Sequence, residues 1–232
     1  MAKFLPGPAV GQISGRIGGS IFSHNKGGPY IRNGTIPTVV TSAAAINAKT
    51  TLATISQSWA GTTAAQKQAW RMWAAENPVT DRLGAQIQLS GHQAFVGLNS
   101  RLVRGSFAAI DQPPLGGPPS SLATLSPTVD LQAATSKLEF TATPLGANDA
   151  LYVEAAVVNS LGINYVRNLM KCILITAVAE ATDTDPLASL TARFGQLAVG
   201  QKVVFLVSVL DSLTGLLSGP LKAETVVVDT TP

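Results

Sequence analysis

Few side chains in this sequence could do chemistry, and they are widely separated. Its two histidines, His24 and His92, each lack a ligand-bearing neighbour and read as surface or hydrogen-bonded residues rather than metal ligands. The single cysteine, Cys172, excludes an internal disulfide and a cysteine-based metal cluster. Asp183 and Asp185 flank Thr184 and could seed a calcium loop, but the third acidic ligand and the following glycine that such a loop needs are absent. Gly15-Arg16-Ile17-Gly18-Gly19-Ser20 could offer backbone N–H groups to a phosphate. It lacks the Gly-Lys-Ser/Thr ending, however, and does not join a strand to a helix. There is no Gly-x-Ser-x-Gly elbow, no His-Glu-x-x-His, no dinucleotide fingerprint and no local spacing that pairs two carboxylates. The expectation is a non-enzymatic protein with no catalytic, cofactor-binding or metal-binding residues.

Charge offers the next clue. Residues 1–110 carry ten Lys or Arg against Glu76 and Asp81, whereas residues 111–232 carry six against eleven acids, so an overall +3 hides a basic half and an acidic half. Such asymmetry suits nucleic acid or an acidic protein surface, or head-to-tail packing. The basic residues are dispersed, which weighs against nucleic acid; Arg16, Lys26 and Arg32 are the candidates for phosphate contact. Charged residues make up 12% of the 232 residues, about half the usual share, while apolar residues stand at 46%. The surface must then be uncharged or covered. No apolar run approaches the roughly 18 residues of a membrane span. The segment Met1-Ala-Lys-Phe-Leu-Pro-Gly7 lacks the apolar stretch of a signal peptide, so synthesis in a cytoplasm is expected.

The elements that must position these residues fall into four stretches. Residues 1–38 form a Gly- and Pro-rich arm with β-friendly pieces at Arg16–Ser23 and Pro29–Asn33 and a hairpin turn over His24–Gly28. Residues 39–110 read as helical. Ser42 caps a first helix to about Ser58, and Thr63 and Gln66 form a capping box for a second that ends before Pro78. A short strand follows at Ala85–Leu89, then Ser90 and Gln93 cap a third helix that Gly105 ends. All three tryptophans lie at 59, 70 and 73, and Ala69, Trp70, Trp73 and Ala74 give the second helix one apolar stripe. Five prolines make 111–127 a semi-rigid linker. Residues 128–232 then read as strands at 129–133, 137–143, 151–158, 163–168, 171–179, 190–194, 202–210 and 223–229. Such a series points to an antiparallel β-sandwich. The expected fold class is α+β in two domains, helical then sandwich, preceded by the arm.

In the strand at 202–210, Val203, Phe205, Val207 and Val209 form one apolar face, yet Val204, Leu206 and Leu210 make the other face apolar too. In the run at 170–178, Met170, Cys172, Leu174 and Val178 likewise oppose Ile173 and Ile175. A free sandwich would have a polar outer face, so this one should be covered by another subunit or by the helical domain.

Two resemblances follow from particular motifs. The run from Leu197 to Pro220, with its Leu-x-x-Gly opening, alternating apolar strand, glycine turn and Ser-x-Pro, resembles the end of a fibronectin type III, immunoglobulin-like module. Val203 stands where that family has an aromatic, and no tryptophan lies in the early strands. Residues 14–32, Ala65-Gln-Lys-Gln-Ala-Trp70 and Leu89-Ser-Gly-His-Gln-Ala-Phe-Val-Gly-Leu-Asn99 resemble small structural proteins of tailed-bacteriophage virions. That resemblance implies a virion location and a homo-oligomer contacting major capsid, tail or neck subunits. The first expectation is capsid decoration or cementing, with a tail or neck component and a nucleic-acid-binding accessory protein as alternatives. The candidate partner contacts are Arg16, Ile17, Ile21, Phe22, Lys26, Tyr30 and Arg32 in the arm, and Met170, Leu174, Val204 and Leu206 on the sheet.

Overall fold

The computed structural model describes the chain except Met1, Leu5, Pro6, Ala9, Lys26, Gly27, residues 37–41, 81–83, 133–135, 142–144, 181–182 and 231–232, and gives only the backbone of Ala2 and Ala44. It is a mixed α+β structure with antiparallel sheets that divides into two compact units, residues 1–48 and 49–232. The proline-rich stretch 111–127 therefore lies inside the second unit. Among the described residues, no helix is long and apolar enough to cross a membrane.

The first unit is built on one antiparallel sheet of β1 (Ala2–Lys3), β2 (Gly15–Ile17), β3 (Ser20–Asn25) and β4 (Gly28–Asn33), in the order β1-β4-β3-β2. The expected single piece at Arg16–Ser23 is split into two strands, because Gly18, with φ +57°, turns the chain at a conformation that side chains disfavour. Helix α1 (Ala43–Gly61) carries the chain into the second unit.

There, α2 (Ala64–Glu76) begins at the expected capping box, with Thr63 Oγ1 accepting from Gln66 N–H at 3.2 Å and Gln66 Oε1 accepting from Thr63 N–H at 2.7 Å. A small ribbon, β5 (Val79–Thr80) with β6 (Gln86–Ile87), leads to α3 (Gly91–Arg104), capped in the same way by Ser90 and Gln93. Trp70, Ala74, Phe95, Leu98 and Ile55 pack into one core, with Trp70 fully buried and meeting Phe95 edge-on at 5.5 Å. Burying Phe95, Leu98 and Ile55 contributes about 1.5–3 kcal/mol each. Trp70 Nε1 donates to Asp111 O at 2.9 Å, and fully buried Asn99 bonds both the N–H and the C=O of Ile110, so the start of the proline-rich stretch is tied to the helices.

The remaining strands are β7 (Thr124–Thr128), β8 (Lys137–Thr141), β9 (Asp149–Val158), β10 (Lys171–Ile175), β11 (Lys202–Asp211) and β12 (Leu221–Val226), with α4 (Leu187–Phe194) between β10 and β11. They form a four-stranded sheet, β10-β9-β11-β12, and a two-stranded ribbon, β7-β8. Three expected strands differ. In place of the strand expected at 129–133, whose residue 133 lies outside the described residues, the strand is Thr124–Thr128, and residues 129–131 make only an isolated parallel bridge to Val228. Residues 163–168 are a loop that buries only Val166 while Ile163 and Tyr165 stay exposed. Residues 190–194 belong to helix α4: Leu187, Leu190, Thr191 and Phe194 have helical spacing, and Asp185 Oδ1 accepts from Leu187 N–H at 2.9 Å to start it.

Both faces of the four-stranded sheet are covered within the unit. Val153, Ala155, Val203, Phe205, Val207 and Val209 face the ribbon residues Leu138 and Phe140 and α4's Leu190. On the opposite face, Ala156, Val158 and Val204 are sealed by Val166 and Met170 of the 159–170 loop. Toward the other end α3 lies over the sheet: Arg104 Nη2 donates to Cys172 O at 3.1 Å and Arg101 Nη1 to Gly215 O at 3.2 Å. The apolar outer face is thus covered by the chain's own helix and loop.

Two glycines of α3 make opposite demands. A Cβ at Gly91 would stand 2.8 Å from Arg71 N and 3.0 Å from the Trp70 carbonyl carbon, so α2 and α3 touch there backbone to backbone, whereas a Cβ at Gly97 meets nothing within 4 Å. Gly91→Ala should cost about 1–3 kcal/mol, lowering the urea midpoint with little change in slope. Gly97→Ala should stabilise by up to about 1 kcal/mol. Equal effects at both positions would contradict this packing.

Candidate functional site

The arm sheet brings the sequence-derived contact residues together and sorts them by face. Lateral partners in an antiparallel sheet point the same way. Arg16 pairs with Ile21 and Ile21 with Arg32, while Ser23 pairs with Tyr30 and Tyr30 with Lys3, so one face carries Lys3, Arg16 and Arg32 around Ile21 and Tyr30. The other face follows from Gly15↔Phe22↔Ile31 and carries Ile17, Phe22 and Ile31. Phe4 joins it by meeting the Phe22 ring edge-on at 5.9 Å. No described residue of the first unit is buried, and Ile17 is 69% exposed. One face is therefore basic around Ile21 and Tyr30, the other apolar around Phe22 with Ser20, His24 and Asn33 beside it, and neither buries a described side chain. Arg16 Nε donates to Gly18 O at 2.9 Å, which ties its guanidinium to the β2–β3 turn. Lys26 lies outside the described residues.

The four sheet candidates separate. Val204 is fully buried and Met170 packs against the same cluster, so this pair is sealed inside the chain. A register shift between Cys172 and Leu174 places Leu174 opposite Val153, where it packs on the main core. Alternation alone assigned it to the outer face, and the bulge reverses that. Leu206 stays half-buried between Glu154 and Lys222. Arg16, Ile17, Ile21, Phe22, Tyr30 and Arg32 lie together on the arm sheet, and Phe4, Ile31 and Lys3 join them through pairings that no local motif signals.

The chemically capable residues are engaged structurally. His92 Nε2 lies 3.1 Å from Ser56 Oγ and its ring sits 5.6 Å from Trp59, and among the described residues no acid bonds its other ring nitrogen. In a serine–histidine–acid triad that third group orients the imidazole. Asp185 Oδ1 accepts from Leu187 N–H at the first turn of α4, and Asp183 stands 4.0 Å from Lys137 Nζ. Among the described residues no cluster of three or more His, Cys, Asp or Glu could hold a metal. Burial pushes the Cys172 thiol above its ordinary value, against the pull of Arg104, and burial likewise pushes Tyr152 up to about 12. Both therefore stay protonated near neutrality, and a protonated thiol is a poor nucleophile.

Lys202, 5% exposed, donates from Nζ to Leu161 O and Asn164 Oδ1 and pairs with Glu224 at 2.9 Å. This ties the 159–170 loop down over Val204.

No family model and no curated protein matches the chain. Among solved structures it is similar to a Fn3-like protein from Clostridium thermocellum at 21% identity, over 50% of this chain and 98% of that one, with a TM-score of 0.30.

The Lys202 pair has a pH signature. The hydrogen bond from Lys202 holds the exposed Glu224 carboxyl below its ordinary value, so its contribution is present above about pH 4.3, the unfolded-state value, and is lost as pH falls through the lower folded-state value. Glu224→Gln should melt below the wild type at neutral pH, and the gap should close as the pH is taken to about 3. A gap that stays constant across that range would contradict the assignment.

Proposed function

We propose that this chain is a non-enzymatic structural protein of a tailed-bacteriophage virion, a capsid decoration or cement subunit whose arm sheet is completed by a neighbouring subunit. The observation that carries this reading is the arm itself. A four-stranded sheet with Phe4, Ile17, Phe22 and Ile31 on one face has the surface needed for a core, yet none of its described residues is buried. Sheets gain independent stability by burying such a face, and an apolar face left open marks an association site. The likeness of residues 14–32 to virion proteins falls on this same segment. A tail or neck position would use the arm in the same way.

The second unit suits a surface module. Strand order β10-β9-β11-β12 opposed to β7-β8 is consistent with an immunoglobulin-like sandwich of the fibronectin type III kind. Thr184 bridges Leu138 beside the ribbon, where a further strand of such a sandwich would run, and α4 covers the adjacent core.

One observation favours a nucleic-acid partner: Arg16 and Arg32 flank Ile21 on the face that also presents Tyr30 and Lys3. Binding of this kind weakens steeply with salt because phosphate contacts release counterions.

Deleting residues 1–38 separates these readings. The truncated chain should keep the cooperative unfolding and near-ultraviolet signal of the tryptophan core, while losing incorporation into particles. Normal incorporation of the truncated chain would sink the proposal. Salt-sensitive DNA binding that is lost in the Arg16→Ala, Arg32→Ala double variant would favour the nucleic-acid reading instead.

A further inference from the structure

A cleft of about 320 Å³ opens in the second unit between α2, α3, the start of β5 and the turn after β11. Its size is at the lower end of small-ligand sites. Trp73, Leu89, Leu98, Leu216 and Leu217 supply apolar walls, and Arg101 is the charged residue among its lining.

Two features on one face of α3 distinguish the cleft from a packing gap. The first is Gly97, which lines it. Glycine in a helix interior costs about 1 kcal/mol relative to alanine, and other glycines nearby have a structural reason. Gly91 allows backbone contact with α2, and Gly215 combines φ +73° with a Cβ position 2.8 Å from Leu98 O. Gly97 has neither reason: its φ is not positive, and an added Cβ would meet nothing within 4 Å. Its effect is to leave the space open.

The second feature is Arg101, four residues on and so on the same helical face. Among the described residues its one hydrogen bond runs from Nη1 to Gly215 O at 3.2 Å, and no carboxylate forms an ion pair with it. Burial pulls its pKa below the ordinary value, only partly offset by Tyr152 and Glu154. A partly desolvated guanidinium with most of its five donors uncommitted is suited to a planar anion, which it can hold through two parallel N–H···O bonds.

We propose that this cleft binds a carboxylate carried on an apolar body of leucine to phenylalanine size, Arg101 holding the carboxylate while Trp73, Leu216 and Leu217 enclose the apolar part. The carboxylate can belong to the C-terminus of a protein chain or to a free small acid. The inference does not depend on the virion reading.

Calorimetric titration of the full chain with N-acetyl-leucyl-phenylalanine, its C-terminal amide and phenylbutyrate tests it. The acids should bind, and the amide should bind about tenfold more weakly or less, the loss expected for a charge-assisted pair. Gly97→Leu projects a side chain into the cleft from a Cβ position that meets nothing within 4 Å, and it should abolish binding while keeping or raising the melting temperature. Arg101→Gln should bring acid and amide to equal affinity. If that variant fails to fold, Gly97→Leu decides alone. Tighter binding of the dipeptide than of phenylbutyrate assigns the site to a chain terminus, and the reverse order assigns it to a free acid. Equal binding of acid and amide by the wild type, undiminished binding by Gly97→Leu, or no binding of either acid would overturn the proposal.

Discussion

The second unit depends on one strand that is apolar on both sides. In β11, Val203, Phe205, Val207 and Val209 point one way and Val204 and Leu210 the other, and all six are buried. Each such side chain contributes about 1.5–3 kcal/mol only when it is out of water, so both faces of the sheet need a cover. The β7-β8 ribbon and α4 provide one. The 159–170 loop, pinned by Lys202, and helix α3 provide the other. Close contacts of Gly105 with Ile175 and of Gly215 with Leu98 and Leu102 let helix and sheet approach. Helices and strands form one unit because β11 presents apolar side chains on both of its sides.

How much of this was legible varies with the kind of signal. The helices could be read because their boundaries are written locally: Thr63 with Gln66 and Ser90 with Gln93 each satisfy free N–H groups within one turn. The double-faced apolar pattern of β11 was equally plain, and it correctly called for a cover. Which cover could not be read, because Arg101, Arg104, Met170 and Val166 reach the sheet through contacts between segments distant in sequence. Helix α4 was mistaken for a strand because the run Leu190–Phe194 is too short for its period to show without Asp185 and Leu187. Leu174 was assigned to the wrong face because a bulge shifts the alternation by one residue, and no residue type announces a bulge there.

The arm presents the opposite case. Its glycines and prolines announced turns, and the hairpin pairing of Ser20–Asn25 with Gly28–Asn33 follows from them. The return of Ala2–Lys3 to pair with Tyr30 and Ile31 was not legible, since a two-residue strand carries no pattern. That pairing completes the division into a basic and an apolar face. Where β11 is apolar on both sides, the arm sheet has one apolar face and, among its described residues, no buried side chain, as a sheet that a partner completes would.

Amide hydrogen exchange on the full-length chain, at a concentration where light scattering gives the mass of one chain, tests partner completion of the arm sheet most directly. If a partner is needed to complete the arm sheet, the amides of β3 and β4 exchange almost as fast as in an unfolded chain, while those of β9 and β11 stay protected. Protection of β3 and β4 equal to that of β9 and β11 in the isolated monomer would show a self-sufficient sheet and contradict it.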